Sequence, residues 1–242
     1  MISKNEVKYI QSLYHKKTRD DEALFIAEGP KLVDELQNSD YVIRKIYAVD
    51  KWINRHKAAP YIQSVTWNEM ERISNLQTPN QVLAIAEQKE NTSSPILAGT
   101  ITLVADGIQD PGNFGTLIRL ADWFGLQQIV ASIDTVDMYN PKVVQATMGS
   151  FVRVFVWYED LKSWLKQSPV SIYGALLHGD NVYTAGPITE GLLIAGNEAK
   201  GIREELLPFI QHAITIPRTG KAESLNVAVA TGIILSHIIS QP

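Results

Sequence analysis

Residues 213–239, AITIPRTGKAESLNVAVATGIILSHII, constrain the fold more than any other stretch of the sequence. They read as the end of a strand at residues 214–216, which Pro217 stops, then a polar loop at residues 218–223 and a long helix. The helix is apolar around most of its circumference, so we predict that it is buried. Ser224 lies where the N-cap of this helix belongs.

The first turn of this helix is nevertheless polar. Ser224 and Asn226 carry hydrogen-bond donors and acceptors beside the unpaired backbone N–H groups and the positive end of the helix dipole. A buried helix with a polar tip suggests a ligand site. The alternative is that Ser224 only caps the helix and Asn226 only closes the loop, and these residues alone leave both open.

Composition excludes several classes of site. The 242-residue chain contains no cysteine, which excludes disulfides, thiolate metal ligands and cysteine nucleophiles. Its 5 histidines lie too far apart for the spacing of a zinc site, and we expect no metal. No segment has the length and apolarity of a membrane span or a signal peptide, which predicts a soluble, cytoplasmic protein with no membrane partner.

Only the N-terminal segment has a charge pattern that suggests a polyanionic partner such as RNA. The net charge of −4 gives no global sign of a nucleic-acid partner. Residues 4–17 carry apolar side chains at helical spacing and form a predicted amphipathic helix. Residues 1–19 contain a single acid, Glu6, and five basic residues, Lys4, Lys8, Lys16, Lys17 and Arg19. They could bind RNA, although a solvated helix face is the commoner explanation for such a segment.

Alternating strand and helix patterns predict two α/β domains. Residues 1–88 form the smaller one, and the polar, turn-forming residues 89–99 form a linker. Residues 100–242 form the second domain, which opens with a continuous apolar run typical of a strand buried on both faces of a parallel sheet. The strands of the first domain are predicted near residues 23–27, 43–49, 61–65 and 82–86. Those of the second are predicted at residues 100–105, 128–131, 151–157, 171–177 and 192–195.

Polar, glycine-bearing loops follow three strands of the second domain, at residues 106–115, 196–201 and 218–223. Because ligands bind beyond the carboxyl ends of parallel strands, we expect these loops to converge on one site. Arg119 follows the first loop on an otherwise apolar helix, where a guanidinium needs an anion or a carboxylate. A structural salt bridge would meet that need equally well.

The common nucleotide and hydrolase motifs are missing. The sequence has no G-x-G-x-x-G fingerprint, which argues against a nucleotide-dependent oxidoreductase, and no Gly-Lys-Ser/Thr of a P-loop. It also has no G-x-S-x-G nucleophile elbow. What remains is an unusual ordered set: N-x-G-x-x-x-R from Asn113, G-N-E-x-K-G from Gly196, and I-P-x-x-G-x-x-x-S-L-N from Ile216.

These three stretches resemble the motifs of the SpoU (TrmH) branch of the SPOUT methyltransferases. FIAEGPKLVDEL, from Phe25, is similar to the small RNA-binding domain that precedes the catalytic domain in many members. The resemblance implies S-adenosylmethionine-dependent methylation of a ribose 2′-hydroxyl in RNA, a C-terminal deep trefoil knot, and a homodimer packed through the knotted region. It favours ribosomal RNA; transfer RNA, or a catalytically idle RNA-binding or ribosome-assembly protein on the same fold, are the alternatives.

The resemblance also implies roles for individual residues. The catalytic set is Asn113, Arg119, Glu198, Ser224 and Asn226. The cofactor-binding set is Leu176, Gly196, Asn197, Gly201, Ile216, Pro217, Ser224 and Leu225. The candidate RNA-binding residues, Lys4, Lys8, Lys16, Lys17, Arg19 and Arg218, are chosen for their positive charge and not from the resemblance. Arg119 either accepts the hydroxyl proton or stabilises the alkoxide and a phosphate, and we prefer the second role because arginine is essentially never neutral. Gln145 departs from the family, where arginine is frequent, and Arg218 replaces a residue that is more often apolar.

Overall fold

The computed structural model describes residues 1–57, 59–91 and 93–239. Spatial clustering divides the chain into two compact units. The first unit comprises Met1–Glu90 and Asp137–Val152, and the second comprises the remainder. The sequence predicts residues 137–152 as part of a continuous second domain, whereas the structure packs them with the N-terminal residues. Within the described ranges, no helix is long and apolar enough to cross a membrane.

The order of the elements follows the predicted alternation of strands and helices. The strands are β1 (Leu24–Glu28), β2 (Ile43–Ala48), β3 (Ile62–Ser64), β4 (Val82–Glu87), β5 (Ile101–Ala105), β6 (Gln128–Ser132), β7 (Phe155–Glu159), β8 (Ile172–Asn181), β9 (Gly191–Ala195) and β10 (His212–Thr215). The α-helices are α1 (Lys4–Ser12), α2 (Lys16–Glu22), α3 (Pro30–Gln37), α4 (Asp50–Ile53), α5 (Trp67–Ile73), α6 (Pro111–Trp123), α7 (Pro141–Thr147), α8 (Leu161–Leu165) and α9 (Val227–Ile238). Short 3₁₀ helices cover Ser150–Val152, Val182–Thr184 and Glu204–Phe209.

The first unit is built on a mixed sheet in the order β1-β4-β2-β3. β4 pairs antiparallel with β1 and β2, and β2 pairs parallel with β3. The N-terminal segment forms two helices, α1 and α2, rather than the single helix predicted over residues 4–17. The buried side chains of Val7, Ile10 and Leu13 cover the sheet's core cluster.

Arg19 lies inside this unit with only 1% of its surface exposed. Its Nη2 donates to Asp137 Oδ2 at 2.6 Å, and its Nη1 donates to the Leu13 and Tyr14 carbonyls. The prediction that Arg19 binds RNA is therefore wrong, because a guanidinium that is buried and paired with a carboxylate is not available to a phosphate.

Aromatic side chains hold residues 137–152 in the first unit. The Phe25 ring lies 4.7 Å from Tyr139 and 5.7 Å from both Tyr41 and Phe151, measured between ring centroids. Tyr41 also stacks edge-on against Phe151. Together with the Arg19–Asp137 ion pair, this cluster makes α7 part of the same core as β1.

The second unit is built on a six-stranded sheet in the order β10-β8-β9-β5-β6-β7, and every pairing is parallel. β5, β6 and β9 are buried along their whole length. This confirms the predicted α/β fold with a parallel sheet. The predicted strand at residues 151–157 begins later, at Phe155, because residues 150–152 form a 3₁₀ turn, and β8 continues to Asn181.

The last helix differs from the prediction in two respects. Its N-cap is Asn226, whose Oδ1 accepts from the backbone N–H groups of Ala228 and Val229, and Ser224 lies outside the helix. One face of α9 is open, with Val229 52% exposed, whereas Ile234, Leu235 and the other core-facing side chains are buried. An apolar circumference therefore predicted full burial where the structure leaves one face uncovered.

Candidate active site

The Asn113 side chain joins residues from all three sequence motifs. It lies in the first turn of α6, where its backbone N–H donates to Asp110 Oδ1 at 2.8 Å. Its side-chain Nδ2 donates to Glu198 Oε1 at 2.6 Å, and its Oδ1 accepts from Asn226 Nδ2 at 2.8 Å. One side chain from each resembled motif therefore enters a single hydrogen-bonded chain.

This chain has a direction. The backbone N–H groups at the start of α9 donate to Asn226, Asn226 donates to Asn113, and Asn113 donates to Glu198. Successive hydrogen bonds of this kind polarise one another. The Glu198 carboxylate is thereby oriented beside the first turn of α6, and both asparagine amides are fixed in orientation.

Arg119 lies on the open face of α6. It lines a groove of about 580 Å³ whose other lining residues include Asn113, Asn226, Trp123 and Val229. No hydrogen bond or ion pair joins its guanidinium to another residue in the part of the chain that the structure describes. The expectation that Arg119 needs a partner to offset desolvation is wrong, because this face is exposed to solvent. Its charge is available to an external anion.

The loop of residues 196–201 is folded tightly on itself. Asn197 and Gly201 exchange two backbone hydrogen bonds, of 3.0 and 2.8 Å. A Cβ at Gly196 would overlap the backbone of Gly201 and Ile202, so only glycine fits this approach. The Asn197 side chain donates to the Gly107 carbonyl and accepts from the backbone of the same loop, so both its side chain and its main chain hold this loop in place.

The third loop is open to solvent. Residues 217–226 are all exposed, and Leu225 is 48% exposed although it is apolar. Leu177, at 67%, is exposed beside this loop, where the Thr215 hydroxyl donates to its carbonyl. Leu176 instead packs partly buried against the core of the unit. Among the described residues, no hydrogen bond connects Ser224, Ile216, Pro217 or Leu225 to the chain through Asn113.

Two residues of this region, Asp106 and Arg203, were not singled out from the sequence. Asp106 is completely buried directly after β5, and Arg203 donates to it through Nε at 2.6 Å and through its backbone N–H at 2.8 Å. The available signal was an aspartate immediately after an apolar strand, because a buried carboxylate requires a paired charge or hydrogen bonds.

Comparison with known proteins identifies the family. A sequence model described as the SpoU rRNA Methylase family matches residues 100–236, and one described as the MRM3-like substrate binding domain matches residues 4–84. The chain belongs to the SpoU rRNA methylase family. The first match covers the sheet and all three loops, and the second covers α1 to β4.

The relatives of this SpoU family member resemble it over almost the whole chain. It is 33% identical to the 23S rRNA (guanosine(2553)-2′-O)-methyltransferase RlmP of Bacillus subtilis, over 98% of this chain and 97% of that protein. A putative RNA methyltransferase of the TrmH family from Porphyromonas gingivalis matches with a TM-score of 0.86 and 35% identity, covering 99% and 98% of the two chains. An AdoMet-bound rRNA methyltransferase from Sinorhizobium meliloti matches with a TM-score of 0.85 and 30% identity, covering 98% and 96%.

The exposed loop of residues 217–226 fits S-adenosylmethionine, the cofactor of this family. Apolar Leu225 and Leu177 are exposed here, which suits an adenine ring that needs apolar contacts, and the loop of residues 196–201 follows the carboxyl end of β9, where ligands of parallel sheets bind. In the described ranges, no cluster of histidine, aspartate and glutamate could hold a metal ion.

Proposed function

We propose that this protein transfers a methyl group from S-adenosylmethionine to a ribose 2′-hydroxyl of ribosomal RNA. One observation supports this proposal most strongly. The side chains of Asn113, Glu198 and Asn226 form one hydrogen-bonded chain, and Arg119, which has no partner among the described residues, lines the same groove as Asn113 and Asn226. The family membership and the rRNA methyltransferases among the relatives support this reaction class. An enzyme acting on ribosomal RNA works where ribosomes are made, so we place it in the cytoplasm.

Arg119 binds the RNA and stabilises negative charge in this proposal. When bound, S-adenosylmethionine supplies a methyl group on a positively charged sulfur, which a ribose oxygen can attack. That oxygen develops negative charge as it loses its proton, and a guanidinium placed beside it stabilises this charge. Arg119 is suited to the task because its charge is permanent and exposed, and no carboxylate among the described residues pairs with it. We assign the proton to solvent rather than to Arg119.

Asn113, Asn226 and Glu198 position the reacting groups. The Asn113 and Asn226 side chains are hydrogen-bonded to each other, so their role is to hold the N-terminal end of α6 against the N-terminal end of α9. Glu198 ends the chain of hydrogen bonds with an exposed carboxylate, which can accept a hydrogen bond from the ribose or orient Arg119 of a second copy. Ser224 retains its proposed role at the cofactor edge, although it does not cap α9.

Main-chain groups and apolar side chains hold the cofactor. We assign adenine contacts to Ile216, Pro217 and Leu225, and main-chain contacts to Gly196, Asn197 and Gly201. Support for these assignments comes from the exposure of Leu225 and from the position of the 196–201 loop directly after β9. Leu176 contributes through the edge of its half-buried side chain.

Transfer of tritiated methyl groups from S-adenosylmethionine to bacterial ribosomal RNA tests the proposal directly. We expect label in 23S rRNA and in the 2′-O-methyl nucleoside after digestion. Transfer RNA under the same conditions is the matched substrate control. Cofactor binding without label in any RNA would reject the methyltransferase proposal in favour of an idle RNA-binding protein, and label confined to transfer RNA would reject the choice of substrate.

A second copy of this chain covers the open face of α6 and α9 in our proposal. Trp123 is 81% exposed and Val229 52% exposed on the same groove, an apolar surface that a soluble monomer seldom leaves uncovered. This groove also contains Arg119, so dimerisation would place the guanidinium of one copy near the loops of the other. The homodimer implied by the family resemblance points in the same direction.

Substituting Trp123→Asp together with Val229→Asp is expected to convert a dimer into a monomer in sedimentation velocity at micromolar concentration. Two carboxylates cannot be buried in an apolar contact without a large desolvation cost. Ile96→Asp is the control, because Ile96 is 72% exposed and lies outside the groove. A wild-type monomer, or a variant that remains dimeric, would contradict this interface.

The trefoil knot stays a prediction. β10 follows β9 in sequence but lies at the edge of the sheet, on the far side of β8, so the chain must cross β8 to reach it. Pulling the chain by its ends in a single-molecule experiment tests the knot. A knotted chain should stop short of the contour length of about 3.4 Å per residue, because a tightened knot retains residues. Full extension would reject it.

The lysines of α1 and α2 supply electrostatic RNA binding in our proposal. Lys4, Lys8 and Lys17 are exposed, and Lys16 shares its charge with Asp20 at 2.8 Å. Changing Lys4, Lys8 and Lys17 to Gln is expected to flatten the slope of log affinity against log salt by about 2 units, or ~0.7 for each phosphate that the protein no longer neutralises. Lys166→Gln, on an exposed position of the second unit, is the control. An unchanged salt slope would reject the assignment of RNA binding to these lysines.

Arg218, exposed in the third loop, keeps its proposed role in RNA binding.

A further inference from the structure

An ion pair between the buried Asp106 and the partly exposed Arg203 connects the loops of the first two motifs, independently of the chain through Asn113. Asp106 is completely buried and lies between the ends of β5 and β9, where its backbone N–H donates to the Ala195 carbonyl at 2.9 Å. Its two carboxylate oxygens accept from the backbone N–H and the Nε of Arg203, at 2.8 and 2.6 Å. Arg203 comes two residues after Gly201, so this pair clamps the end of the 196–201 loop.

Gly107, next to Asp106, forms further hydrogen bonds that connect the end of β5 to neighbouring segments. The Gly107 N–H donates to Ser132 Oγ at 2.8 Å, and the Gly107 carbonyl accepts from Asn197 Nδ2 at 2.8 Å. The 196–201 loop is therefore tied to the end of β5 on both sides, through Asn197 before the turn and Arg203 after it. Glu198 lies between these two ties and reaches Asn113.

Local charge argues against Arg203 as an anion-binding residue. Asp106 already neutralises its guanidinium, and Asp134 Oδ1 lies 3.7 Å from Nη1. A phosphate would face two carboxylates at this position, and like charges repel. The guanidinium is therefore better suited to hold protein groups than to bind RNA.

We propose that Asp106 and Arg203 are positioning residues that fix the 196–201 loop, and thereby set both the cofactor contacts of that loop and the placement of Glu198 against Asn113. This rests on the proposed function for its catalytic consequence, whereas its consequence for cofactor binding does not need RNA. Neither residue touches the reacting groups. Without the clamp, the loop keeps its Asn197 tie but is no longer constrained at its other end.

Arg203→Gln is expected to weaken binding of S-adenosylmethionine about 10-fold and to lower kcat about 10-fold, because small displacements of a positioning shell carry costs of this size. RNA affinity should stay within about 2-fold of wild type, since the clamp faces no RNA-binding group. Arg203→Lys should restore part of both losses because it retains the charge beside Asp106. Calorimetric titration with the cofactor, filter binding of 23S rRNA and steady-state kinetics supply the readouts.

Two further variants keep the test decisive if Arg203→Gln unfolds. Asp106→Asn combined with Arg203→Gln removes both charges, avoids an unpaired buried carboxylate, and should show the same loss of cofactor affinity at a near wild-type Tm. Lys162→Gln is the matched control, because Lys162 Nζ forms an exposed ion pair with Glu205 Oε2 at 3.3 Å, just beyond Arg203.

The outcomes separate this inference from the proposed function. Wild-type cofactor affinity in Arg203→Gln and in the double variant would overturn the positioning role, even if the wild-type protein methylates RNA. Weaker RNA binding with unchanged cofactor binding would overturn it in favour of a phosphate contact. Weaker cofactor binding in these variants, with no RNA methylation by wild type, would support the clamp while rejecting the methyltransferase proposal.

Discussion

Replacing Arg119 by alanine is expected to lower the rate of RNA methylation by about 10²- to 10³-fold, the loss typical of removing one group that stabilises transition-state charge. Arg119 has no carboxylate partner among the described residues and faces solvent, so its removal leaves no buried charge and should not disturb the fold. The loss should appear in kcat and in kcat/KM for RNA. Cofactor affinity should be unchanged, because the cofactor contacts are assigned to other loops.

Two companion variants define the role of this guanidinium. Arg119→Lys keeps a positive charge without the planar fork and should retain more activity than Arg119→Ala if charge stabilisation dominates. Lys166→Ala, on an exposed position of the same unit, should be indistinguishable from wild type. Tritium transfer under single-turnover conditions measures all three. Wild-type rates in Arg119→Ala would remove Arg119 from the active site.

Replacing Arg19 by alanine is expected to lower the free energy of unfolding of the first unit by about 3 kcal/mol, as found when one partner of a buried ion pair is removed. The change leaves Asp137, only 14% exposed, without its cation, and leaves the Leu13 and Tyr14 carbonyls without their donor. Urea unfolding followed by tryptophan fluorescence and circular dichroism gives the measurement.

Lys16→Ala is the matched control for this change. Lys16 also pairs with an aspartate, Asp20, but both side chains are largely exposed, at 65% and 49%. Exposed pairs of this kind contribute only about 0.5 kcal/mol. Equal effects of the two substitutions would show that burial of the Arg19 pair does not govern the stability of this unit.

Hydrophobic patterning was sufficient to predict the fold class. The continuous apolar run of β5 predicted a parallel sheet, and β5, β6 and β9 are each buried along their length. Loop positions after parallel strands also predicted that the three motifs would meet. The exact start of α9 was not predictable, because Ser224 and Asn226 are both good N-cap residues. The contact with Asn113, which decides in favour of Asn226, comes from 113 positions away.

Arg19 and Arg119 were misread for opposite reasons. Arg19 stands in the charged run KKTRDDE, where every neighbour suggests solvent, and its partner Asp137 is 118 residues away. Arg119 stands among apolar residues that suggest a core, yet its face of α6 is open. Local composition reports which surfaces are apolar, but it does not report which of them the rest of the chain covers.

The packing of residues 137–152 against β1 has a consequence for chimeric enzymes. A graft that transfers only the first 90 residues to another protein would leave Phe25 without the Tyr139 and Phe151 rings, and Arg19 without the Asp137 carboxylate. Transfer of the whole unit therefore requires two separate segments of the sequence, and residues 1–90 without residues 137–152 should give insoluble protein.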